Sequence, residues 1–172
     1  GNTENDKVVW FCDAPDDAPD DAPGDENDET LSILTITGTG DLAGYTFGGA
    51  PWEAYRESIR GIDIKDGVTS IGIGTFCGCV SLTSVIIPGS VKIIGDNAFS
   101  GCEKLSNVRI SNGVISIGDD VFKECIALKE ITIPESVETI GEHAFNSCTM
   151  LMTITIPQNV TVIGEGAFCN CT

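Results

Sequence analysis

The chain has 172 residues, enough for one elongated domain, and 41% of them are apolar, so a core is within reach. A formal net charge of −17 argues against nucleic acid and anionic membrane surfaces as partners, because both call for basic patches. No apolar run approaches the length of a spanning helix, so membrane insertion of this domain is not expected.

The opening GNTENDK has no Met and no signal peptide. It reads as a trimmed start, so the lack of a leader is uninformative. KVVWF then predicts a short strand, and LSILTIT over 31–37 alternates well enough to be its hairpin partner. Between them, DAPDDAPDDAPGDENDE (13–29) holds nine of the 26 acidic residues and almost nothing apolar. Such a segment cannot bury enough surface to fold, and a mobile hairpin loop is expected. Asp supplies hard oxygen ligands, so calcium is the sharper reading. Against it, Pro at every fourth residue prevents a close wrap, and no Asp-x-Asp-x-Asp-Gly run occurs.

GTGDLAGYTFGG is turn-rich but lacks the Lys-Ser/Thr of a phosphate loop. APWEAYRESI predicts one short helix over about 50–59, with Pro51 in its first turn. Trp52, Tyr55 and Ile59 share a face of that helix and are expected to cap the open end of a repeat array that begins near residue 61. Residues 1–60 are thus expected to form an amino-terminal cap.

From Ile71 onward the chain repeats every 23 residues. Ile-Gly recurs at Ile71, Ile94, Ile117, Ile140 and Ile163. Five residues later comes Phe (Phe76, Phe99, Phe122, Phe145, Phe168), and three further on Cys (Cys79, Cys102, Cys125, Cys148, Cys171). Leu follows at Leu82, Leu105, Leu128 and Leu151. Two β-branched residues two apart come next, as in Val85 and Ile87. Pro88, Pro134 and Pro157 close three of these segments, and Ser111 stands in the fourth. A 23-residue unit is too small to close a core, so stacked units share one. The alternating Leu-x-x-Ile-x-Ile segment is the strand, and Pro ends it because it has no N–H for the ladder. The Gly after each Ile marks a turn where a side chain is unwelcome, with positive φ expected. Phe, Cys and Leu at three-residue spacing fit a tight turn or 3₁₀ segment. The fold class is a repeat solenoid, mostly β, with about five coils over 61–172 and no carboxyl-terminal cap. Continuation beyond Thr172 is expected, and the open last coil offers a surface for self-association.

The segments IGDNAFSGCEKLSNVRI and IGEHAFNSCTMLMTITIP resemble the BspA-like leucine-rich repeats, at about nine positions per coil. The likeness extends upstream, where residues 37–72 are similar to the cap that often precedes such repeats. The resemblance implies a bacterial surface or secreted protein, non-catalytic, that binds a host protein or glycan. A rigid spacer holding other domains away from the cell is the alternative.

Eight Cys suggest disulfides in a secreted chain. Ladder positions argue otherwise, because adjacent Cβ atoms would stand about 5 Å apart where a bridge wants roughly 3.5–4.5 Å. The five ladder Cys therefore read as small buried hydrophobes. Cys77 and Cys169 share a position expected to be exposed, and a Cys12–Cys77 bridge is an open alternative. The pairs Cys77/Cys79 and Cys169/Cys171 offer two ligands each where structural zinc wants four, so no metal and no cofactor is expected. The one His, His143, has equivalents at Asn97, Asp120, Thr75 and Gly166, which describes a tolerant surface position. No Gly-x-Ser-x-Gly elbow occurs, and no enzyme is expected. Asp96, Asp119, Asp120, Glu142 and Glu165 align into an acidic stripe whose plainest reading is a solvated edge.

Binding, if the solenoid binds, falls to the strand positions that point away from the core. One column is Gly61, Ser84, Asn107, Glu130 and Thr153, and the other is Asp63, Ile86, Arg109, Thr132 and Thr155. These side chains vary from coil to coil, where a spacer would be featureless. Ile86 beside Arg109 is the least bland spot.

Overall fold

A computed structural model describes residues 8–13, 32–46 and 48–171. The acidic segment 13–29 lies outside them apart from Asp13. The described chain is a β-solenoid with two ladders. One sheet takes β1 (Val8–Asp13), β2 (Ser32–Gly38), β4 (Ile59–Ile64), β6 (Ser84–Ile87), β8 (Asn107–Ile110), β10 (Glu130–Thr132) and β12 (Thr153–Thr155), in that order. The other takes β3 (Gly40–Leu42), β5 (Val68–Ile71), β7 (Ile93–Ile94), β9 (Ser116–Ile117), β11 (Thr139–Ile140) and β13 (Val162–Ile163). All pairings are parallel except β1–β2. The second sheet is the Val-x-x-Ile stretch of each coil. Its strands are too short to show alternation in sequence.

The third side of each coil is a turn that also bonds to its neighbour. Gly74, Phe76 and Gly78 donate their N–H groups to the carbonyls of Asp96, Ala98 and Ser100, each at 2.8 Å, and the pattern repeats down to His143, Phe145 and Ser147. Here the left-handed φ values occur, at Gly74, Asn97, Asp120, His143 and Gly166 and again four residues on. The Gly after each Ile has no positive φ, contrary to expectation. Its role is close approach: a Cβ on Gly95 would lie 2.8 Å from the Ile71 carbonyl oxygen and 2.9 Å from the Ile73 nitrogen.

Inside, the columns of the repeat become ladders. The Phe rings stack from Phe76 to Phe168 with centroids 5.3–5.6 Å apart. Trp52 continues the stack over Phe76 at 5.5 Å, and Trp10 and Tyr45 meet Trp52 edge-on. Cys79, Cys102, Cys125 and Cys148 are fully buried. Each later thiol donates to the carbonyl of the Phe 26 residues before it, as Cys102 does to Phe76 at 3.3 Å.

The amino-terminal end differs from the sequence expectation. No α-helix spans 50–59; the segment makes one 3₁₀ turn, Glu53–Tyr55, with Tyr55 donating to the Trp52 carbonyl and Ser58 to that of Tyr55. So short a helix is marginal, and Trp52 is already committed to the Phe stack. Trp52 and Ile59 are buried while Tyr55 is exposed, so the three do not share one buried face. Residues 32–42 belong to the solenoid itself. Leu34 pairs with Ile62 and Leu42 with Ile71, which makes this a first coil 28–29 residues long. Only β1 crosses as an antiparallel strand.

Candidate interaction surface

The strand register places the two predicted outward columns as neighbours across the first sheet. Gly61 pairs with Ser84, Ser84 with Asn107, and Glu130 with Thr153. Asp63 pairs with Ile86, Ile86 with Arg109, Arg109 with Thr132, and Thr132 with Thr155. Parallel strands in register put equivalent side chains about 4.8 Å apart. Ser84, Ile86, Asn107, Arg109, Glu130, Thr132, Thr153 and Thr155 are all exposed. Asp63 is half-buried and paired with Lys65. A groove of about 600 Å³ runs over β8, β10 and β12, lined by Asn107, Lys129, Glu130, Thr132, Thr153 and Thr155. Its groups are hydroxyls, one amide and one charge of each sign, which suits many modest hydrogen bonds.

The columns reach further than the repeat grid shows. Ile33 pairs with Gly61 and Thr35 with Asp63, so β2 extends both columns by one coil. Phe11, opposite Thr35 on β1, is 57% exposed. The alternation of LSILTIT carried this signal, but the longer first coil kept it off the 23-residue register. Met152, 76% exposed, follows Lys129 in its column at the groove's end of the face.

The other candidates resolve into structure. Asp96 accepts from the Asp119 N–H at 2.9 Å, and Asp119 from the Glu142 N–H at 2.7 Å, so these two carboxylates of the acidic stripe tie coil to coil. Asp41 does related work across the second sheet, where hydroxyls of Thr69 and Ser70 hold its carboxyl below the usual range. His143 is no free surface choice: its column requires left-handed φ, which Asn, Asp and His tolerate better than most residues. The member of that column in the coil of β4 and β5 is Gly74; Thr75 is one residue on and buried. Burial pushes the thiols of Cys79 and Cys148 up to about 12 and those of Cys102 and Cys125 well above the ordinary range. Cys77 is a free thiol, half-buried, and Cys169 is free and exposed. The Cys12 side chain lies outside the described residues. Among those residues no three His, Cys, Asp or Glu side chains gather as a metal site, and no helix is long and apolar enough to cross a membrane.

Stacked short coils, a Phe–Cys–Leu inner column and a parallel strand ladder define a leucine-rich-repeat solenoid. The BspA type leucine rich repeat region matches residues 54–172 in six copies, and the chain belongs to that family. The fold is similar to a leucine-rich repeat protein from Eubacterium ventriosum (32% identity, TM-score 0.70, covering 76% of this chain and 35% of that one). It is also similar to a leucine rich repeat protein from T. pallidum (31% identity, TM-score 0.63, 81% and 60% covered). A leucine rich cell surface protein from Faecalibacterium prausnitzii is 25% identical (TM-score 0.62, 84% and 49% covered). The chain thus spans between 35% and 60% of the length of these structures. A comparison with curated proteins finds no match.

Proposed function

We propose that this domain is a non-catalytic interaction module, displayed on a bacterial surface or secreted, that binds a protein or glycan through the outer face of its first sheet. The observation that carries the reading is the pair of in-register outward columns. From Ser84 and Ile86 onward they are exposed, they differ from coil to coil, and they border a groove of about 600 Å³. Identical columns would suffice for a rod, so variation on this face alone favours contact over spacing. The inner columns and inter-coil hydrogen bonds account for the repeat-invariant residues. Membership of the family and likeness to a leucine rich cell surface protein support the location.

The test is binding of the domain to a panel of matrix proteins and glycans at low and raised salt, beside the double variant Ile86→Glu with Arg109→Glu. Both side chains are exposed, so the fold should survive, with a midpoint lowered slightly by the carboxylate row that the variant makes with Asp63. A hit abolished by the double variant supports the reading. A blank panel favours the rigid spacer, and a hit that the variant leaves intact moves the binding away from Ile86 and Arg109.

A further inference from the structure

Gly61 stands apart from the other described glycines. Each of the others has left-handed φ or would crowd a Cβ against neighbouring backbone. Gly61 has neither feature: its φ is ordinary, and an added Cβ would meet only Ile33 Cγ1, at 3.6 Å. Glycine in a strand interior weakens it and often marks a bulge, and here Ser32 pairs with Ile59 but Ile33 with Gly61, so Gly61 follows a one-residue irregularity at Arg60. Its effect is on the outer face, where the column otherwise carries Ser84, Asn107, Glu130 and Thr153. The missing side chain opens a depression of about 170 Å³ over β2, β4 and β6. Ile33 and Ile86, 37% and 55% exposed, stand on either side, and Asp63 and Ser84 complete the rim.

We propose that this depression seats one apolar side chain of an extended, basic protein segment. The proposal rests on the reading of the outer face as the binding surface and names its anchor. The volume is close to the roughly 150 Å³ of an apolar cavity that accepts benzene, so an aromatic ring or a branched aliphatic chain fits. The flanking groups are aliphatic. They attract an apolar side chain, and Asp63 and Ser84 at the rim leave polar groups for the backbone beside it. Burying an anchor between two apolar walls is how protein interfaces concentrate their affinity. The net charge of −17 draws a basic partner. The row Asp63–Ile86–Arg109 then orients it, because a cation beside the anchor is repelled on the Arg109 side and on the other side meets Asp63, whose charge Lys65 already partly offsets.

Peptides selected from a phage-displayed library of random linear sequences on the unmodified protein are the probe. The expected winners carry an aromatic or branched aliphatic residue next to Lys or Arg. Gly61→Val fills the depression from a strand position that welcomes a β-branched residue. It should leave the unfolding midpoint unchanged or raised and weaken these peptides by about tenfold or more. Ile86→Glu, at an exposed site on β6, should weaken them as well, with a slightly lowered midpoint because the new carboxylate faces Asp63. Selection of no peptide overturns the proposal, as does equal binding to Gly61→Val and the unmodified protein. If binding instead fails only with Thr132→Arg and Thr155→Arg, the outer-face reading stands and the anchor falls. If none of the variants changes binding, both fall.

Discussion

Glu124 and Ser147 sit at φ +61°, in a column that Gly78 and Gly101 occupy without strain. An L-residue in the left-handed region costs about 1–2 kcal/mol, and a glycine there loses part of that gain through the freer unfolded chain. Glu124→Gly and Ser147→Gly should therefore each stabilise by about 0.5–1 kcal/mol, read as a higher urea midpoint at constant slope. The reverse change, Gly101→Glu, should destabilise. His143 belongs to the companion column, and its backbone conformation explains its presence better than any proton chemistry does.

The thiol ladder is an element with its own titration. Cys79, Cys102, Cys125 and Cys148 have an ordinary value of 9.0 when unfolded and are raised in the fold, to about 12 for Cys79 and Cys148. A raised folded value means that the stabilisation is complete below the unfolded value and is lost as pH climbs towards the folded one. Stability should be level up to about pH 9 and then fall by about 1.4 kcal/mol per pH unit for each thiol ionised in the unfolded chain. Chemical denaturation across pH 8–11 checks this; a flat profile would contradict the burial of the column. The same burial should shield these thiols from alkylation in the native state while exposed Cys169 reacts.

Across the whole molecule, coils bind only their neighbours, so a defect costs according to how many neighbours it loses. Phe122 stacks on both Phe99 and Phe145, whereas Phe168 has one ring partner and is half-buried. Phe122→Ala should cost about 3–5 kcal/mol, and Phe168→Ala about half of that or less. Equilibrium unfolding followed by circular dichroism would separate the two. Equal losses would mean that the solenoid unfolds as a unit whose stability is not set by neighbour contacts. Trp52, itself met edge-on by Trp10 and Tyr45, gives Phe76 a second ring partner beside Phe99.

The period of 23 was legible because every coil meets the same neighbour at the same distance, so identical environments demand identical residues. That condition yielded the Phe, Cys and Leu columns, the strand and the outward face from the chain alone. It failed where the environment changes. The first coil is longer, so Ile33, Thr35 and Leu42 fall off the grid although they pair in register with the rest. The 50–59 stretch has helical spacing, but stacking Trp52 on Phe76 overrides so weak a local preference. The depression at Gly61 needed three strands side by side to exist, because its walls come from residues 53 positions apart, Ile33 and Ile86. Local repetition writes the coil into the sequence; contacts between unlike coils appear only once the chain has stacked.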